Sequence, residues 1–190
     1  MTQLNHITLK LGVIGEFNTG KSTLLNAILG KHVVATSDRP CTPVPIYIEA
    51  GSPEGLSIRN DDGSESKADL EAYSRYTTDG EAPAGIHSIH MTVQSSLLTD
   101  NRITLIDTPG INAINPVHTA ITESVLPEMH AAILLMYSKP PGSKSTLEFL
   151  KNASSQMGKV FICISKADFL DDGQLTPWKA CQSASPGSAG

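Results

Sequence analysis

The stretch GEFNTGKST, Gly15 to Thr23, constrains this chain more than any other. Gly15, Gly20, Lys21 and Ser22 fit G-x-x-x-x-G-K-S/T, a pattern that works only between a strand and a helix. Both flanks meet that demand. Upstream, ITLKLGVIG (7–15) alternates and then turns apolar, as a central strand does. Downstream, KSTLLNAILG carries leucines and isoleucine at helical spacing and stops at Gly30, a natural helix terminator. A glycine turn with a surface lysine would share the letters, but not the strand before and the helix after. The glycines let the backbone bend so that its N–H groups point at phosphate oxygens. Lys21 supplies a cation for the outer phosphates, and the Ser22 hydroxyl can ligate Mg²⁺. The helix adds the positive end of its dipole. The whole run is expected to contact a nucleotide: Gly15, Glu16, Phe17, Asn18, Thr19, Gly20, Lys21, Ser22 and Thr23. The loop alone does not name the base.

The rest of the chain bounds the setting. A length of 190 residues with 39% hydrophobic content suits one globular domain with a real core. The net charge of −5, from 14 basic and 19 acidic residues, comes without a basic block, so no nucleic-acid partner is expected. No apolar run approaches the ~20 residues that cross a bilayer. The opening MTQLNHITLK lacks the layout of a secretory signal. Cys41, Cys163 and Cys181 are few, odd in number and far apart, which fits reduced thiols in the cytoplasm. Cys163, inside VFICIS, reads as a small core residue.

After the first helix comes KHVVATSDRPCTPVP, a long proline-rich loop. VPIYIEAG and GLSIRNDDG are short β-like runs closed by glycine turns and expected to form a hairpin. KADLEAYSRYTTD is weakly helical. IHSIHMTVQSSLL and NRITLIDTPG are expected to pair as strands around TDN. VHTAITESVLPEMH is a helix ended by Pro127, AAILLMYS an apolar strand, SKSTLEFLKNASSQM a helix and KVFICISKAD a strand. Such alternation predicts an α/β fold, a mostly parallel sheet with helices on both faces. From Asp171 the chain is rich in Ser, Gly, Ala and Pro and reads as a poorly ordered tail.

Further motifs extend the phosphate loop. ITLIDTPG ends an apolar strand at Asp107, whose carboxylate can hold Mg²⁺ through water; the Gly110 amide can reach a γ-phosphate because no side chain blocks it. Thr42, in RPCTPVP, can cover the metal from a mobile loop, with Thr36 and Ser37 as rivals. CISKAD ends the last apolar strand. Lys166 and Asp168 match the core of N/T-K-x-D, with Ser165 where Asn or Thr is usual. An aspartate accepts from both N1–H and N2–H₂ of guanine, a donor pair adenine lacks, and the lysine stem can lie across the base.

Together GEFNTGKSTLLNAILG, RPCTPVP, DTPGI and SKAD resemble the GTPase superfamily of P-loop proteins. More finely, the chain resembles the dynamin superfamily, in particular the bacterial dynamin-like proteins and the mitofusin and fuzzy-onion group, over about residues 7–170. The likeness implies a three-layer P-loop sandwich with an inserted hairpin, a dynamin-type domain over 1–170 and a tail over 171–190. It implies GTP as substrate, GDP as product, Mg²⁺ held by Ser22, Thr42 and Asp107, and catalysis resting on Lys21, Asn18 and Thr42. It also implies a homodimer across the nucleotide face and membrane remodelling through regions outside this chain, at the membrane periphery. Departures are visible. Ile111 stands where many small GTPases carry a glutamine that orients water. Asn18 stands where dynamin-like loops often have a serine associated with a monovalent cation such as K⁺ or Na⁺. The family's stalk of long helices is not seen. Such domains continue after the SKAD strand with a helix, one more strand and a final helix. Only about 20 residues remain here, as expected of a truncated or partial domain or of one that a companion chain completes. Two other readings stay open: a ribosome-assembly GTPase, which shares this loop type, and a nucleotide-binding module without catalysis.

Overall fold

The computed structural model describes residues 8–36, 43–76, 84–111, 116–138 and 143–170. The expected tail from Asp171, Cys41, Cys181 and the loop positions Ser37 and Thr42 lie outside them. Among the described residues eight strands form one sheet: β1 Leu9–Gly15, β2 Ile46–Ala50, β3 Gly55–Asn60, β4 Glu65–Ala68, β5 Ile86–Val93, β6 Ile103–Asp107, β7 Ala131–Tyr137 and β8 Lys159–Ser165. Four α-helices of the same residues accompany them: α1 Lys21–Leu29, α2 Ser96–Asn101, α3 Pro116–Val125 and α4 Lys144–Gln156. The weakly helical run of the sequence divides into β4 and a 3₁₀ turn, Leu70–Tyr76.

Strand order is β4-β3-β5-β2-β6-β1-β7-β8. The half that carries β6, β1, β7 and β8 is parallel throughout. On the other side β2 runs parallel to β5 but antiparallel to β6, and β3 is antiparallel to both its neighbours. Adjacent residues of a strand point to opposite faces, and each face has its own core. Val13, Leu105 and Leu135 join Leu25 of α1 and Leu98 of α2 on one side. Ile14, Ile106 and Leu134 join Val125 of α3 and Phe149 and Ala153 of α4 on the other. Leu25 is fully buried, which contributes about 1.5–3 kcal/mol and clamps α1 against β1 and β6. Pro127 closes α3 as expected: the helix stops at Val125 and a 3₁₀ turn, Leu126–Glu128, follows.

Three expectations are corrected. β2 and β3 are not a hairpin, because β5 lies between them. β5 and β6 are not a pair either, because β2 lies between them. The two antiparallel units interlock. β5 carries Ile89, Met91 and Val93, each at most 1% exposed, and β2 has Ile46 and Ile48 fully buried. Such strands gain most from a central place, and the linker 51–54 is long enough to step across ~10 Å, two strand spacings. The true hairpin is β3–β4, closed through Asp61–Ser64, with Gly63 at φ 81°. Cys163 is the third correction. It is exposed, because β8 is an edge among the described residues and Phe161 and Ile162 beside it are 50% and 54% exposed.

Candidate functional site

The sheet order puts the motifs together. β1 sits between β6 and β7, so the loops leaving the C-terminal ends of these parallel strands share one edge, where α/β sheets bind ligands. Val13 is level with Asp107, and Gly15 with Leu135. Gly15 has no room for a side chain: a Cβ would lie 2.5 Å from the Leu135 carbonyl oxygen and 2.8 Å from Thr19 Oγ1. The chain then turns through Asn18, at φ 60°, and Gly20, at φ 91°, the left-handed region. Gly20 is the N-cap of α1 and no side chain caps it, so the first-turn N–H groups of α1 face the loop's hollow.

Inside that hollow Thr19 Oγ1 donates to the Glu16 carbonyl at 2.8 Å. Lys21, 8% exposed, donates from Nζ to the carbonyls of Gly15 at 3.1 Å and Glu16 at 2.9 Å. Burial pulls its ammonium below the usual lysine range, while the Asp107 and Glu16 carboxylates oppose that shift. Phe17 and Asn18 are exposed at the loop's tip, and Thr23 continues into α1.

Ser22 and Asp107 lie far apart in sequence and meet here. The Ser22 hydroxyl donates to Asp107 Oδ2 at 3.1 Å, and Asp107 is fully buried. A hydroxyl and a carboxylate at this spacing are the hard oxygen donors that Mg²⁺ accepts beside phosphate and water. Thr108 Oγ1 donates to the Val13 carbonyl at 3.0 Å, tying the segment after Asp107 back to β1. Gly110 packs on the phosphate loop so closely that a Cβ would lie 3.1 Å from Phe17 N and Cα. Ile111 donates its N–H to the Gly15 carbonyl at 3.1 Å and is fully buried, so its side chain does not face solvent. Thr122 of α3 holds the Pro109 carbonyl at 2.9 Å.

At the end of β8, Lys166 adopts φ 53° and starts a 3₁₀ turn, Ala167–Phe169. The Ser138 hydroxyl donates to the Lys166 carbonyl at 2.8 Å, and Ser165 Oγ donates to the Met136 carbonyl at 3.3 Å. Lys166 Nζ stands 5.3 Å from the centroid of the Tyr137 ring. Asp168 is exposed. Of the expected metal-covering residues, Thr36 is exposed in irregular backbone, and Thr42 lies outside the described residues.

Asn26 went unremarked in the sequence. Its Oδ1 accepts from the N–H groups of Val33 at 2.8 Å and Val34 at 3.0 Å, and its Nδ2 donates to the Val34 carbonyl at 2.9 Å. It clamps the start of the loop that leads to Thr42. The available signal was a polar letter on the otherwise apolar stripe of α1. Ser138 and Tyr137 gave no signal, since their roles depend on β7 and β8 being neighbours.

Comparison with known proteins agrees with this geometry. Dynamin-like protein 2 of Campylobacter jejuni is 33% identical over 154 residues, 81% of this chain and 25% of its own length. This chain thus spans about a quarter of that relative. A solved bacterial dynamin, from an oligomerised pair described as sensing and tethering membranes, superposes with a TM-score of 0.69 at 26% identity. That match covers 94% of this chain and 29% of the other. Era bound to a segment of 16S ribosomal RNA superposes at 0.53 with 19% identity, covering 93% of this chain and 47% of its own, a likeness of fold alone. The profile of the Dynamin family matches residues 11–168, and the chain belongs to that family.

Proposed function

We propose that this chain binds GTP with Mg²⁺ and hydrolyses it to GDP and phosphate, as the nucleotide-handling domain of a dynamin-like protein. The observation that carries the reading is the Ser22–Asp107 contact at 3.1 Å beside the buried Lys21 ammonium, at the shared end of β1 and β6. Lys21 and the amides of residues 15–23 hold the phosphates. Ser22 and Thr42 would hold Mg²⁺, with Asp107 holding it through water, and the bound metal would offset the charge of the phosphates. The Gly110 N–H meets the γ-phosphate, with Lys166 and Asp168 on guanine. Catalysis is positional and electrostatic, resting on Lys21, Thr42 and Asn18. Asn18 offers its amide oxygen to the phosphate edge or to K⁺ or Na⁺. The buried Ile111 leaves water placement to backbone groups or to a second copy across the nucleotide face.

The likeness to a membrane-tethering dynamin pair supports a role in membrane remodelling, acting at a membrane surface. Among the described residues no helix is long and apolar enough to cross a bilayer. Calorimetric titration tests nucleotide binding: GTP binds in the presence of Mg²⁺, ATP does not, and Lys21→Ala abolishes the heat. Asp168→Asn weakens GTP and favours xanthosine triphosphate, whose extra carbonyl takes the amide donor. Unchanged base preference refutes the assignment of Asp168. A turnover rate per molecule that rises with protein concentration supports the dimer, whereas GTP binding without turnover at any concentration, with K⁺ or without, supports a module that only binds.

A further inference from the structure

Glu16 is a peculiar residue for a phosphate-binding loop. A carboxylate beside bound phosphates repels them, and the repulsion grows as water is excluded. The structure sends this side chain elsewhere. Glu16 Oε1 accepts from Ser143 Oγ at 2.6 Å and from Thr146 Oγ1. Both donors stand at the N-terminus of α4, a helix of 13 residues. Ser143 is its N-cap and also accepts from the Thr146 N–H at 3.2 Å. Thr146 is 1% exposed, and Phe149 and Ala153 anchor the same helix in the second core. The carboxylate thus meets two hydroxyls and the positive end of a helix. Its backbone stays in the loop, where the Glu16 carbonyl accepts from Thr19 Oγ1 and Lys21 Nζ.

We propose that Glu16 is a positioning residue: Ser143 and Thr146 hold its carboxylate against α4, which fixes the loop's shape and stops the carboxylate from turning onto the phosphates. The proposal rests on the nucleotide-binding reading above. It makes Ser143 and Thr146 determinants of nucleotide affinity although neither belongs to a nucleotide motif. It also mechanically links the phosphate loop to the helix that leads into β8 and the base-reading turn.

The test is a mutant cycle on the full chain, read by titration with fluorescent GDP and with GTP, with thermal melts to verify folding. Ser143→Ala with Thr146→Val removes both hydroxyl donors from the carboxylate and weakens binding on the order of tenfold, an effect that shrinks as salt rises. Adding Glu16→Gln restores affinity to within about threefold of Glu16→Gln alone, because the side chain no longer carries charge. Glu16→Gln alone tightens binding by about threefold, since the amide oxygen still accepts from the hydroxyls while the charge is gone. If the double variant does not fold, that single variant decides. Weaker binding by Glu16→Gln, or losses that simply add in the triple variant, overturns the proposal while leaving the nucleotide reading intact. A parent chain that binds no nucleotide overturns both.

Discussion

Replacing Asn26 tests whether one side chain secures the loop after α1. Asn26→Ala removes three hydrogen bonds, two from the backbone of Val33 and Val34 and one to the Val34 carbonyl. Val34 is 3% exposed, so water does not replace its lost partners, whereas the half-buried Val33 N–H recovers part of its loss. Two buried backbone groups without partners, at about 1–2 kcal/mol each, give a loss of about 2–4 kcal/mol. For a chain of this size that lowers Tm by roughly 5–15 °C. Urea unfolding of the nucleotide-free protein measures it. Asn26→Leu supplies the volume that alanine lacks, so an equal loss there excludes a cavity as the cause. The same variants weaken Mg²⁺-dependent GTP binding more than Mg²⁺-free binding, because the clamped segment leads to Thr42. A stability change below about 0.5 kcal/mol in both variants refutes the clamp.

Stability also depends on pH through His90. Its ring stacks on Tyr47 at 4.6 Å between centroids, and burial, helped by Arg59, lowers its pKa from 6.5 to about 4. Between those values the unfolded chain binds the proton and the folded one does not, so stability is full above about pH 6.5 and falls as pH drops toward 4. Urea midpoints across that range show the slope, and His90→Phe flattens it. In a variant with Cys41→Ser and Cys181→Ser, the exposed Cys163 reacts with Ellman's reagent in the native protein at nearly its unfolded rate; protection would place another element over β8. Gly15→Ala puts a methyl 2.5 Å from the Leu135 carbonyl oxygen, costs about 1–3 kcal/mol in unfolding measurements and abolishes nucleotide binding.

The parts of the site legible in the sequence are those whose chemistry is local. The loop from Gly15 to Thr23 announces itself because its glycines and the helix start are set by neighbours a few residues away. Strand existence was equally readable from apolar runs. Strand partners were not. The linker after β2 reaches the next strand or the one beyond it, and the choice depends on burying β5, a segment some 40 residues downstream. The buried reading of Cys163 failed for a related reason: an apolar run shows that a strand can be buried, not that a neighbour covers it. The Ser138–Lys166 and Glu16–Thr146 contacts join residues 28 and 130 positions apart, a distance over which sequence pattern carries no signal.

The interlocked strands have a consequence for the order in which this molecule can be made. A chain emerging from the ribosome has released β1, β2, β3 and β4 before residue 86, yet among the described strands β3–β4 is the only native pair it can then form. β2 waits for β5 and β6, and β1 waits for β6 and β7. The loop that follows β1 is therefore made before the strands on either side of it and is held in place only after they appear. Late closure of this kind, dominated by distant pairings, is slow and leaves apolar strands open to chaperones while translation proceeds.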